Sequence, residues 1–166
     1  TAVFERGGIK IAVIGQAFPY TPVANPRYKI ANWSFGIRES LIRKRVTSAR
    51  KSGAELVVLL SHNGFDVDRK LASRVDGIDV ILTGHTHDAV PAVVKVNNTL
   101  LVASGSHGKF LARLDLDISK GKIRDYSFRL IPVFSDVIEP DRGMADIIKK
   151  IRAPFKSDLE KVVGKT

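Results

Sequence analysis

The chain has 166 residues, 44% of them hydrophobic and 27% charged, with no cysteine and a formal net charge of +10. That balance allows a buried core and is the opposite of the composition of disordered chains, and the length suits one domain. The absence of cysteine excludes a disulfide framework, a thiolate zinc site and a thiol nucleophile. No apolar run approaches the roughly 20 residues of a membrane span, so no membrane partner is expected. Residues Thr1 to Arg6 have neither a signal-peptide pattern nor an initiator Met, and read as the start of a processed chain or of a piece of a longer one.

The charge is uneven. Residues 1–60 carry +7, residues 61–90 carry −2 and residues 91–166 carry +5. The densest basic run, Arg38 to Lys51, has Ile37, Leu41, Val46 and Ala49 at roughly helical spacing. It reads either as a solvated helix face or as a surface that attracts anions or an acidic partner. Three Tyr, one Trp and no aromatic–basic alternation argue against nucleic acid.

In chain order, residues 9–15 form a short apolar run stopped by Gly15, a predicted buried strand. Pro19, Pro22 and Pro26 make the following segment a loop. A helix is predicted near 38–52, ended by Gly53. Strands at 55–61 and 78–83 flank a short helix from Asp66 to Arg74. Alternating apolar strands and helices predict an α/β fold covered on both faces of its sheet. Beyond His87 the pattern becomes hairpins: 92–96 and 99–104 about Asn97-Asn98, then an alternating strand at 110–118 and another at 122–133. These make the sheet mixed, or add a second sheet. From Asp141 the chain turns helical, with a break near Pro154 and a stop at Gly164.

All four histidines lie in short loops at or near strand ends. His62 follows the second predicted strand, His85 and His87 follow the third within Gly84-His85-Thr86-His87-Asp88, and His107 lies between Ser106 and Gly108. Ligands of open α/β sheets bind beyond the carboxyl ends of the strands, so His62 and the His85/His87 pair converge if their strands are parallel neighbours. Imidazoles at this spacing suit Zn, Mn or Fe, and Asp88 is placed to orient an imidazole from behind. The chain lacks an Asp-x-His pair and a Gly-Asn-His segment, so it cannot complete a two-metal centre alone.

Leu60-Ser61-His62-Asn63-Gly64 with Asp68, followed by Leu71 through Gly84-His85-Thr86-His87, resembles the later half of the catalytic domain of 5′-nucleotidase-type metallophosphoesterases. Within that superfamily, Ala24 to Tyr28, Asn32 to Ile37 and Ile131 to Asp136 resemble the SoxB-like sulfur-oxidation group. The resemblance implies a four-layer α/β/β/α sandwich, of which this chain is the C-terminal half. It implies two divalent metal ions, manganese first and zinc as the alternative, and a periplasmic thiosulfohydrolase. Such an enzyme releases sulfate from a cysteine-bound S-thiosulfonate on the SoxYZ carrier protein.

Carried over by motif, His62 and His85 match ligands of one metal and His87 a ligand of the other, with Asn63 and Asp88 as supporting groups. Arg27 and Tyr28 would orient the anionic group, or Arg27 would only pin its own loop. His107 would face the cleft, or be an ordinary loop residue. The family's catalytic His, Asp-x-His motif and bridging Asp have no counterpart here. The chain is therefore expected to be a middle fragment, inactive alone, whose partners include the missing N-terminal half of its own domain. Residues 1–140 would belong to the catalytic domain, and residues 141–166 would lead to a C-terminal domain beginning at Val163 to Thr166. Two other functions remain open at this level: a 5′-nucleotidase-like phosphate-ester hydrolase and a non-catalytic basic binding module.

Overall fold

A computed structural model describes residues 1–164, so Lys165 and Thr166, at the predicted start of a further domain, lie outside the described residues. The chain divides into two units, Thr1–Pro132 and Val133–Thr166.

The first unit is built on a six-stranded sheet. Its strands are β1 (Ala2–Arg6), β2 (Ile9–Gln16), β3 (Leu56–Ser61), β4 (Val80–Thr83), β5 (Val94–Val96) and β6 (Thr99–Ala103), in the spatial order β1-β2-β3-β4-β6-β5. Strands β2, β3, β4 and β6 run parallel, and antiparallel β1 and β5 close the two edges. The sheet is therefore mixed, as the hairpin pattern predicts. β1 has no counterpart in the predicted elements; it pairs with β2 through the two-residue turn Gly7-Gly8, whose φ values are 57° and 74°.

Helices α2 (Glu39–Lys51) and α3 (Phe65–Ala72) cover one face. Ile42, Val46 and Ala49 of α2 and Leu71 and Ala72 of α3 join Ala12, Ile14, Val57, Leu59, Ile81 and Leu101 in the main core. The buried stripe of α2 thus starts at Ile42 rather than at Leu41, which is 47% exposed, and Ile37 precedes the helix. The opposite face carries Leu56, Val80 and Leu100, covered by Leu114, Leu116, Ile118 and Ile123. Those residues come from a second, two-stranded sheet of β7 (Phe110–Ser119) and β8 (Lys122–Pro132). Along β7 the alternation holds as predicted, with Leu114, Leu116 and Ile118 half-buried and Arg113, Asp115 and Asp117 exposed. The result is the mixed α/β fold, with helices, sheet and second sheet stacked in that order. The Pro-rich segment is not wholly irregular, since it holds a one-turn helix α1 (Thr21–Ala24) and a 3-10 turn at Arg27–Lys29.

The amino ends of β3 and β4 are pinned by a carboxylate. Asp79 accepts hydrogen bonds from Arg50 Nη2 at 2.5 Å and from the Val57 N–H at 2.6 Å, tying the last turn of α2 to the sheet. Burial raises the Asp79 pKa above its ordinary value, and the Val57 N–H and Arg50 only partly offset it. The folded state therefore holds this proton to higher pH than the unfolded chain. The Asp79 contribution to stability falls as pH rises from the ordinary carboxylate value through the raised one, then levels off. Asp79→Ala should remove that part of the pH slope and destabilise the unit at pH 7 by about 2–3 kcal/mol, read by urea unfolding.

The second unit contains α4 (Arg142–Arg152) and the one-turn helix α5 (Lys156–Leu159). Asp141 caps α4 by accepting from the Met144 N–H at 2.8 Å. Pro154 falls in the 3-10 turn Ala153–Phe155 that separates α4 from α5, where the sequence places a break. Helical structure ends at Leu159 rather than at Gly164.

Candidate metal-binding site

The carboxyl ends of the parallel strands carry the histidines. β3 and β4 are adjacent and parallel, with Ser61 paired to Thr83, so the loops after them emerge side by side. The His62 and His85 rings face each other with centroids 5.3 Å apart. The loop after β6 brings His107 to His87, with ring centroids 5.4 Å apart. The structure thus gathers the four histidines into two pairs, and the pairing of His107 with His87 is a contact that sequence spacing left open. His107 also shares a 2.8 Å hydrogen bond between its Nδ1 and the Ser106 hydroxyl.

Three of these residues have left-handed backbone: His85 at φ 86°, His87 at φ 61° and His107 at φ 59°. Such conformations cost non-glycine residues energy and cluster at functional sites. Neighbouring glycines permit the close approach. A Cβ on Gly84 would lie 3.2 Å from His62 Nδ1, and one on Gly64, at φ 99°, would lie 3.0 Å from the Thr86 methyl.

A network beneath the loops fixes their ends. Asp68, fully buried on α3, accepts from the Ser61 hydroxyl at 2.8 Å, Asn63 Nδ2 at 2.9 Å and the Thr83 hydroxyl at 2.5 Å. Burial pushes its pKa up, and the three donors oppose that shift. Asn63 also accepts from Gln16 Nε2 at 3.2 Å, which carries the bracing back to β2. Thr86 accepts from the Phe65 N–H at 3.1 Å and donates to Asp88. Asp88 is therefore engaged by a hydroxyl, not by an imidazole as its position in the sequence suggests. Asn63, bonded to both Asp68 and Gln16, holds the loop that carries His62.

Phe18 stacks on His85 with ring centroids 4.0 Å apart and meets His62 edge-on at 6.0 Å. Sequence reasoning missed it, because a Phe in a Pro-rich loop has no periodicity to reveal its neighbours. Arg27 and Tyr28 sit on the exposed 3-10 turn, and Tyr28 is 78% exposed. Among the described residues neither makes a side-chain hydrogen bond, ion pair or ring contact with a histidine. Beside His62, between the two sheets, lies a cleft of about 780 Å³ with an apolar wall of Leu60, Leu82 and Leu111 and polar groups from Gln16 and Thr83.

The donor chemistry suits a borderline divalent metal, since imidazole binds such ions well. The number of donors falls short. Among the described residues no three His, Cys, Asp or Glu side chains converge on one metal position.

No family model matches the sequence. The sulfate thiohydrolase SoxB of Thermus thermophilus superimposes with a TM-score of 0.90 at 37% identity, over 94% of this chain and 29% of that one. An uncharacterised metallophosphoesterase of Bacillus subtilis, YunD, is 31% identical over 113 residues, 68% of this chain and 23% of that protein. The matches support membership of the 5′-nucleotidase/metallophosphoesterase superfamily. A 5′-nucleotidase precursor, also from Thermus thermophilus, at 24% identity and a TM-score of 0.82, shares the fold over 99% of this chain and 36% of its own. The chain thus spans between about a quarter and a third of the length of these proteins. Among the described residues no helix is long and apolar enough to cross a membrane.

Proposed function

We propose that this chain forms part of the catalytic domain of a metal-dependent hydrolase whose substrate is a cysteine-bound S-thiosulfonate on a SoxYZ-type carrier protein in the periplasm. The observation that carries the hydrolase reading is the convergence of His62 and His85 at the carboxyl ends of adjacent parallel strands. The likeness to SoxB at 37% identity supports the sulfur substrate over other members of the superfamily. His62 and His85 would hold one divalent ion and His87 would contribute to a second, with manganese favoured over zinc and the remaining ligands supplied from outside residues 1–164. Bound metal supplies Lewis-acid polarisation and an activated water at neutral pH.

The chain's own residues then have defined tasks. Asp68, Asn63 and Gln16 hold the His62 loop to the end of the sheet. Phe18 limits the freedom of the His85 ring by stacking on it and shields that side from water. The apolar wall of the cleft, with Gln16 and Thr83 as its polar groups, suits a peptide segment of a carrier protein. Arg27 is retained as an anion-orienting residue for a substrate that reaches across the exposed loop, since a guanidinium presents a bidentate fork to oxyanions. In the net reaction, the water oxygen bonds to the sulfonate sulfur, and the bond between that sulfur and the neighbouring sulfane sulfur breaks while the bond to the carrier cysteine stays. Sulfate, a carrier persulfide and one proton result.

A second reading, a nucleotide phosphoesterase, is favoured by the 5′-nucleotidases and the apyrase among the relatives. The full-length protein, loaded with Mn²⁺, separates the two readings when given thiosulfonate-bearing carrier and nucleoside 5′-monophosphates in parallel. Sulfate release from the carrier is expected. Fast nucleotide turnover without sulfate release overturns the sulfur reading, and a protein that retains no divalent metal overturns both.

A further inference from the structure

Asp68 offers an acceptor-only carboxylate to three donors on three different pieces of the chain. Ser61 is the last residue of β3, Asn63 lies in the loop after it, and Thr83 is the last residue of β4. His62 stands between the first two, and His85 lies two residues beyond the third. The carboxylate is fully buried and has no Lys or Arg partner among the ion pairs of the described residues. A buried acid with only neutral donors is costly, and an apolar residue would serve the core as well were no geometry at stake. At the other end of the same strands Asp79 performs a comparable pinning task but has Arg50 beside it. The uncompensated acid therefore stands at the end of the sheet where the histidines are.

We propose that Asp68 is a positioning residue that sets the separation of His62 and His85, and through it the affinity of the site for a divalent metal. The proposal deepens the functional reading above and rests on it for the metal. Its geometric part stands alone. With Asp68 truncated, the hydroxyls of Ser61 and Thr83 lose their common acceptor. What still joins the two strand ends among the described residues is the backbone bond from the Gly84 N–H to the Ser61 carbonyl and, farther out, the bond from the Phe65 N–H to the Thr86 hydroxyl. Asparagine preserves the link: its carbonyl can accept from Ser61 and Asn63 while its amide donates to the Thr83 hydroxyl.

The experiment uses the full-length protein, its Asp68→Ala and Asp68→Asn variants, and two readouts. The first is Mn²⁺ titration by electron paramagnetic resonance. The second is ¹⁵N NMR of selectively labelled histidines in metal-free, EDTA-treated protein, with melting temperature recorded in the same buffer. Asp68→Ala is expected to weaken Mn²⁺ binding by about 10- to 100-fold, as losses of supporting hydrogen bonds at metal sites do. It should also shift the His62 and His85 ring signals without metal, and Asp68→Asn should restore both readouts to near wild type. Unchanged ring signals in Asp68→Ala overturn the positioning role whatever the metal result. Asp68→Ala protein that is folded and binds Mn²⁺ as wild type overturns the link to affinity. Wild-type protein that binds no Mn²⁺ sinks the functional reading instead, and the ring signals still decide the geometric part.

Discussion

His85→Ala in the full-length protein should lower hydrolytic turnover at a fixed, subsaturating Mn²⁺ concentration by at least about 100-fold, a lower bound set by what supporting residues alone contribute at metal sites. His107→Ala should cost less than about 10-fold on the same scale. The difference follows from what each ring does. His85 meets His62 from the adjacent parallel strand, is stacked by Phe18, and carries a left-handed φ of 86°. Strain of this kind survives only where the surroundings hold it, here Gly64 and Gly84, which leave room for the Thr86 methyl and the His62 ring. His107 shares the backbone conformation, but its partners are the His87 ring and its own neighbour Ser106. It can orient His87 without being a ligand. Metal content measured beside turnover tells whether the loss in His85→Ala is loss of the ion. Equal small losses in both variants would place the reaction centre elsewhere.

Much of this arrangement is legible in the sequence because the parallel strands are covered by helices on one face and, over their amino-terminal part, by the second sheet on the other. Ile9 to Gly15, Leu56 to Ser61 and Val80 to Thr83 read as apolar runs, and the histidines follow directly after two of them. β1 escapes that logic, since its five residues are all exposed and no burial pattern marks them. The signal was its turn: Gly7-Gly8 between two strand-like segments is a two-residue hairpin turn. Asp68 was visible only as a motif residue. Its place on the apolar stripe, at i, i+3 and i+4 with Leu71 and Ala72, marks a buried acid rather than a solvated one. Phe18, and the pairing of His87 with His107, depend on how loops fold back over the strand ends. Residue spacing carries no information about that step.

Leu59 and Leu60 are neighbours of one type in one strand, and their fates on truncation should differ by several kcal/mol. Leu59 is 0% exposed and points into the helix-side core with Ile14, Ile81 and Leu101, whereas Leu60 is 56% exposed and lines the cleft beside His62. Successive strand residues face opposite sides, so the chain step between them separates core from cleft. Leu59→Ala removes methyl groups from a close-packed interior and leaves a cavity that strands on both sides of β3 cannot fill by moving. The expected loss is about 3–5 kcal/mol by urea unfolding, with an unchanged slope on denaturant. Leu60→Ala should cost less than about 1 kcal/mol, because little of its side chain is withdrawn from water. It should instead raise KM for a substrate that lies along the apolar wall while leaving Mn²⁺ affinity intact. Similar destabilisation by both would show that the cleft face is covered in solution, and an unchanged KM in Leu60→Ala would remove this wall from the binding surface.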